Sequence, residues 1–180
     1  IDRSLRGFYY STWAHEGQMG RYALTQFEPT SARRAYPGWD EPAYKANFTF
    51  RMLHRVNTTA LANMPSAYER SVDKEQVHQL LQTRSSGLSL HQYNLDEWLL
   101  TEFETTPKMA TYLVAWANGA FLHVSNTTIS PLTGRVIPLR MYTTPDLIHQ
   151  AAFSTEAMAK ILPEYEKIFE IAYPLPKLDA

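Results

Sequence analysis

Residues 24–50 read LTQFEPTSARRAYPGWDEPAYKANFTF, and their reading decides the fold. The first residues carry a strand-like mixture of Leu, Thr and Phe. Gln26 and Glu28 stand two apart in it, where strict alternation into a core would want apolar side chains. A basic pair follows, Arg33 and Arg34, and then a turn built from Pro37, Gly38, Asp40 and Pro42. After the turn the alternation becomes clean. Across residues 46–55, Ala46, Phe48, Phe50 and Met52 share one side, and Asn47, Thr49 and Arg51 share the other. Two strands joined by a polar, turn-rich loop are the signature of an antiparallel sheet with one wet face.

The surrounding sequence extends that reading. Residues 8–13 and 21–28 form two strands about the glycine-containing turn HEGQMG. Residues 59–65, 97–105, 110–116 and 135–143 read as further strands, with 121–125 pairing beside the middle two. Pro138 inside the 135–143 run calls for an edge or a bulge. Residues 66–95 are polar and weakly patterned, a surface excursion with a short helical turn at 73–82. From 146 to 169 the period changes: Ile148, Ala152, Thr155, Ala159, Leu162 and Phe169 recur on one helical face. Thr144 and Pro145 supply a cap and a first turn, and Pro163 calls for a kink or a restart. The expected fold is mainly β: an antiparallel, saddle-like sandwich with one C-terminal helix. Residues 1–143 make a partial β domain, and 144–180 the start of a second.

Composition narrows the function. The chain has 180 residues, 44% hydrophobic and 19% charged, which is enough to bury a core without staples. A net charge of −1 gives no footprint for nucleic acid, and no apolar run reaches the ~18 residues of a membrane span. With no cysteine there are no disulfides and no thiolate metal sites, and the compartment stays open. The first residues, IDRSLRGFYY, show neither an initiator Met nor a signal pattern, so a longer parent chain is expected. Three of the six Asn lie in N-x-[ST] sequons, at Asn47, Asn57 and Asn126, which points toward a secretory or cell-surface route.

Catalytic motifs are scarce. The six histidines, His15, His54, His78, His91, His123 and His149, include no helical pair. HEGQM at residues 15–19 ends in Met where a zinc helix needs a second His. No G-x-S-x-G elbow and no phosphate loop occur. The adjacent acids Asp40–Glu41 and Asp96–Glu97 fit solvated turns better than an acid/base couple. Gln26 and Glu28 are left. On a strand, side chains two apart share a face about 7 Å from each other. A carboxylate and an amide so placed can hold an ammonium group and a neighbouring side chain. Spacing alone fits a solvent-facing edge strand better.

The stretches GFYYSTW, LTQFEPTSARRAYPGWDEPAYKANFTF, ALANMP, FETTPKMATYLVAWANGAF, RMYTTPD and YPLPKLD, in this order, resemble the aminopeptidase N-like family of zinc metalloaminopeptidases. The resemblance covers nearly the whole chain. It implies part of that family's N-terminal β domain, followed by the opening helix of a thermolysin-like catalytic domain. Gln26 then matches the glutamine lining the pocket for the substrate's first side chain, and Glu28 the position that helps hold the free α-amine. Arg33 and Asp40–Glu41 match structural ion-pair positions. Gly38 stands where many relatives have Cys, and Trp39 where they have Phe.

The resemblance also implies zinc in the complete enzyme, held outside these residues, since neither H-E-x-x-H nor G-A-M-E-N occurs here. The chain alone is expected to bind no catalytic metal and to hydrolyse nothing. Its expected partners are a peptide N-terminus and the missing catalytic domain. Strand edges left open by absent strands are expected to favour self-association. A non-catalytic binding module of the same ancestry fits the same motifs. An unrelated carbohydrate- or protein-binding sandwich fits the composition but not the motif string.

Overall fold

Antiparallel pairing dominates the computed structural model, which describes residues 5–82 and 97–180. The first hairpin joins β1 (Gly7–His15) to β2 (Gln18–Gln26) with nine paired residues on each side. Its turn is tighter than HEGQMG as a whole. Glu16 (φ 49°) and Gly17 (φ 77°) are both left-handed, the geometry of a two-residue primed turn that matches strand twist. β3 (Arg51–Arg55), β4 (Thr59–Ala62) and β5 (Ser66–Val72) follow, then α1 (Lys74–Gln82), β6 (Trp98–Phe103) and β7 (Trp116–Gly119). The last part holds β8 (Leu122–Ile129), β9 (Val136–Thr143), α2 (Ala151–Phe169) and β10 (Leu178–Asp179). Three sheets result, in the orders β1-β2-β7-β4, β3-β6-β5 and β10-β9-β8. The protein is thus mainly β, sandwich-like, with one C-terminal helix.

Aromatic packing joins the first two sheets. Trp116 stacks on Phe50 (centroids 4.9 Å, planes 19° apart) and meets Phe27 edge-on at 5.2 Å and Phe8 at 5.6 Å. Phe27, Ala32 and Val114 are buried together, with Tyr36, Phe48, Met109 and Tyr112 against them. A second cluster, Val72, Val77 and Leu100, seats α1 on the β3-β6-β5 sheet.

Several expected elements are corrected, each for a physical reason. The clean alternation of 46–55 becomes a strand only at Arg51. Upstream, Ala46 is exposed and bridges to Met109, while Thr106 exchanges hydrogen bonds with Phe48. Residues 110–116 are not a strand. Thr111–Leu113 forms a 3₁₀ turn, and pairing begins at Trp116. Side chains occupy the backbone groups that a strand would pair: the Tyr36 hydroxyl donates to Thr111 O, Asn63 Nδ2 to Leu113 O, and the Ala115 amide to Asn63 Oδ1. The polar excursion begins with β5, whose residues are exposed except Val72. The helical turn at 73–82 is a true helix. The Asp73 carboxylate accepts the Gln76 amide at 2.8 Å, and Gln76 reaches back to the Asp73 amide, a capping box. Residues 83–95 of that excursion lie outside the described residues.

The C-terminal layer departs further. β8 runs to Ile129 and pairs with β9 rather than with β6 or β7. Pro138 sits in β9, the central strand, yet breaks no bond. The Ser130 amide bonds Arg135 O, so every second residue of β9 from Ile137 on pairs with β8, and Pro138 faces the other edge. There β10 begins only opposite Leu139, with the Ala180 amide donating to Arg140 O. The chain enters α2 through a 3₁₀ segment, Pro145–Gln150, without a side-chain bond from Thr144. The packed face of α2 is Ala151, Thr155, Ala159, Leu162 and Glu166; Ala152 and Phe169 are exposed. Glu166 is 2% exposed and accepts the Ser130 hydroxyl and the Tyr173 amide, each at 2.6 Å. The Ser130 bond first, then the Tyr173 bond, hold its carboxyl below the usual range.

Pro163 does not restart the helix, which is continuous from Ala151 to Phe169. Proline has no amide to give the carbonyl four residues back, which is that of Ala159. Thr128 of β8 fills the gap, its hydroxyl donating to Ala159 O at 2.9 Å. In unglycosylated protein, Thr128→Val therefore costs about 1–3 kcal/mol by urea melt, because the carbonyl is orphaned. In a Pro163→Ala background, where residue 163 regains an amide, the same change costs at least about 1 kcal/mol less.

Candidate functional site

The site is set by Phe27, the residue between the two polar positions. Phe27 is 2% exposed and lies edge-on to Tyr36 (5.8 Å) and Trp116 (5.2 Å). Since it points inward, Gln26 and Glu28 point outward, and both are exposed. β2 ends at Gln26, so the expected strand 21–28 stops two residues early and Glu28 rides on the following turn. The Ser31 amide closes that turn onto Phe27 O at 2.6 Å, and Ser31 and Ala32 are buried beneath it. Gln26 and Glu28 line one open dish of about 590 Å³, together with Arg6, Pro29, Ser31 and Arg34.

The hairpin delivers the opposite wall. Gly7 pairs with Gln26 and has φ 71°, which a side chain resists; an added Cβ would also stand 3.1 Å from Arg34 Cβ. Arg34 lies across this glycine, so the backbone of Leu5 to Gly7 comes close to the 3₁₀ turn Ala32–Arg34. Arg6 and Arg34 were not foreseen as lining residues. Their signal was available: a two-residue turn at Glu16–Gly17 forces residue numbers of a pair to sum to 33, which sets Gly7 beside Gln26.

Electrostatically the dish is mixed. Arg33 pairs with Asp40, whose side chain is 8% exposed, so the expected ion pair forms and pins the loop. No ion pair joins Glu41 to another described residue, and its side chain is exposed. Trp39 is 69% exposed, with its carbonyl accepting the Thr111 hydroxyl at 2.9 Å. Tyr36 stands behind the loop, and its hydroxyl pKa is pushed up to about 12, by burial first and then by the Asp40 charge. Glu28 is the one carboxylate among the lining residues, which also include Arg6, Arg33 and Arg34.

Among the described residues the histidines build no metal centre. His54 is 3% exposed, with Nε2 2.8 Å from the Thr101 hydroxyl, which donates to Glu69 at 2.6 Å. His123 packs on Tyr142 at 4.9 Å, and His91 lies outside the described residues. Among the described residues no three His, Asp or Glu side chains lie together as a metal would require, so they do not fit zinc. Nor is any described helix long and apolar enough to cross a membrane.

A mainly β domain with an open, loop-walled polar dish and a C-terminal helix is the class that these features define. Residues 1–86 match the Peptidase M1 N-terminal domain. Over 181 residues the chain is 38% identical to endoplasmic reticulum aminopeptidase 1 of Mus musculus, covering 99% of this chain and 16% of that protein. It is 33% identical to glutamyl aminopeptidase of Bos taurus over 179 residues, with the same coverage. It is also 33% identical to the thyrotropin-releasing hormone-degrading ectoenzyme of Rattus norvegicus over 181 residues, 14% of that protein. The chain belongs to the peptidase M1 family, and it spans about a sixth of the length of these curated relatives.

Neutral Tyr36 is linked to folding. Its folded pKa lies above the unfolded value of 10.0, so the folded state keeps a proton that the unfolded state has lost. Its contribution is complete below pH 10 and disappears as pH rises toward about 12. Tyr173, also pushed up to about 12, adds to the same window, chiefly through burial and secondarily through the Asp179 charge. Tyr36→Phe is expected to flatten part of the stability loss between pH 10 and about 12 in denaturant melts. It also removes one late-titrating tyrosinate from the ultraviolet titration.

Proposed function

We propose that this chain is the substrate-recognising part of an M1 aminopeptidase, with Gln26 and Glu28 receiving the N-terminal residue of a peptide. One observation carries the reading: the two side chains flank a buried phenylalanine and open into one dish. The relatives, whose names are those of aminopeptidases, support it. A fixed carboxylate stabilises a free α-ammonium and offers nothing to an acylated, uncharged N-terminus, which selects for exopeptidase action. The Gln26 amide, beside it, gives a directional contact to the first side chain or backbone. The nearby guanidinium groups lower the general attraction for cations, so amine selectivity rests on direct contact with Glu28.

On this reading the residues bind and orient, and the hydrolytic chemistry belongs to polypeptide outside them. Zinc would be held there, where it would supply Lewis-acid polarisation of the scissile carbonyl. Residues 1–143 then belong to the N-terminal domain and 144–180 to the start of the catalytic one. β9, on one side of that boundary, pairs with β10 on the other. In the complete product of the source gene, Glu28→Ala is expected to raise KM for free-amine peptides about 10–100-fold, the loss of one charged hydrogen bond. Gln26→Ala is expected to change the ranking of first residues more than KM overall. Unchanged KM and ranking in both variants would overturn the assignment, and leucyl-substrate turnover by the isolated 180-residue chain would place catalysis here after all.

The same reading includes a secretory route, supported by three exposed sequon asparagines and by relatives named for the endoplasmic reticulum and as an ectoenzyme. Asn57 lies in the β3–β4 turn and Asn126 in the edge strand β8. Asn47 spends one amide hydrogen on Thr106 O and has a second for the sugar bond. Protein from a secreting cell is expected to lose mass on glycosidase treatment, with Asn57 and Asn126 converted to Asp in peptide maps. An unchanged mass rejects the modification.

A further inference from the structure

The circumference of α2 has three sectors where a surface helix normally has two. Ala151, Thr155, Ala159, Leu162 and Glu166 face β8 and β9. Glu156, Lys160, Glu164 and Lys167 form a charged sector closed on itself, with Lys160–Glu156 at 2.6 Å and Lys167–Glu164 at 2.7 Å. Between them runs a second apolar sector. In it Ile161 is 47% exposed, Tyr165 55% and Ile168 68%. At 100° per residue these three fall within about 60° of arc, whereas Phe153, 81% exposed, lies in line with the charged sector. Phe169 and Ile171 prolong the patch past the helix end at 65% and 69% exposure. Contiguous apolar surface of this kind is a packing face rather than a solvated one.

A second feature of the same layer is unfinished. β9, α2 and β10 form a parallel β-α-β unit, and β10 has only two residues, with no described strand on its outer edge. Parallel strands occur in sheets covered on both faces and continued by further strands. The third consideration is length: the chain spans 16% of endoplasmic reticulum aminopeptidase 1.

We infer that the Ile161–Tyr165–Ile168 stripe and the open edge of β10 are one docking surface for the polypeptide that follows Ala180 in the complete protein. The inference rests on the reading of this chain as part of a longer aminopeptidase. The occupant is an uncharged layer of aliphatic and aromatic side chains, since the cations and anions of α2 already hold each other on the neighbouring sector. A strand added at β10 and a layer over α2 complete a two-sided sheet, as Thr128 and Glu166 complete the helix on its inner side.

The test is site-resolved thiol labelling of the complete gene product, read by peptide mass. Ile168→Cys reports the stripe and Lys160→Cys the charged sector. Labelling at least about 100-fold slower at position 168 than at 160, independent of protein concentration, is the expected result; that factor is about 2.7 kcal/mol of protection. Equal rates overturn the proposal. Protection at 168 that vanishes on dilution, together with a dimeric mass, assigns the face or the strand edges to a second copy and equally overturns it. Ile161→Asp supplies an independent readout: the complete product should lose about 5 °C or more in Tm, and an unchanged Tm overturns the proposal too. Because none of these measures turnover, a protected thiol at position 168 in an inactive product would sink the peptidase reading alone. Equal labelling in an active one would sink this inference alone.

Discussion

The burial of one side chain, Phe27, governs the rest. Its ring meets those of Tyr36 and Trp116 and is 2% exposed. Burial of that kind stabilises by about 1.5–3 kcal/mol, and each edge-on ring pair adds about 0.5–1.5 kcal/mol. The orientation of its neighbours follows. With Phe27 inward, Gln26 and Glu28 cannot both reverse without lifting the phenyl ring into water. The same ring seats the loop, since Ala32 and Val114 pack with it and Tyr36 reaches across to Thr111. Side chains at a strand end and on the turn after it gain precision from a core beneath them, and here the core begins one residue away.

The C-terminal layer depends on polar substitution of the same economy. Pro163 removes a helix amide and Thr128 supplies the missing donor from another strand. Glu166 is buried and accepts two donors, one from β8's end and one from the chain beyond the helix. Lys177, 6% exposed, donates to Ala62 O at 2.8 Å and pairs with Asp179. The bond to Ala62 ties the start of β10 to β4, so the C-terminal layer is fastened to the first sheet by a buried charge whose partners are both named. Removing one partner of such a set costs far more than the set contributes as a whole.

Legibility in the sequence followed the physics. The first hairpin was readable because alternation and a glycine turn agree, and β9 because its β-branched and aromatic residues outweigh one proline. α1 was underestimated although Asp73 and Gln76 spell its cap, because among residues 74–80 only Val77 is fully buried. Residues 110–116 misled for the opposite reason. Ala110, Val114 and Trp116 have strand composition, but Asn63 and Tyr36, remote in sequence, claim backbone groups of the stretch. Of the expected face of α2, Thr155, Ala159 and Leu162 meet the sheet, whereas Ala152 falls off its side and Phe169 at its exposed end, where periodicity alone does not set the margins. At the site, Gln26 and Glu28 were found by resemblance and are brought together by the fold, whereas Arg6 and Arg34 required the hairpin register.

A dish that is open and shallow explains why recognition and chemistry would be divided between parts of a longer chain. Glu28 is exposed, so its attraction for an ammonium is screened by water and shared with guanidinium groups nearby. In a high-dielectric setting such a contact is weak and unselective. Closing the dish with another lobe would exclude water, and the same carboxylate at the same distance would then discriminate strongly against an uncharged N-terminus. On the proposed reading, therefore, the affinity for the α-amine is not a property that these residues possess alone. It arises when the lobe that carries the chemistry covers them, which couples capture of the amine to assembly of the reacting centre.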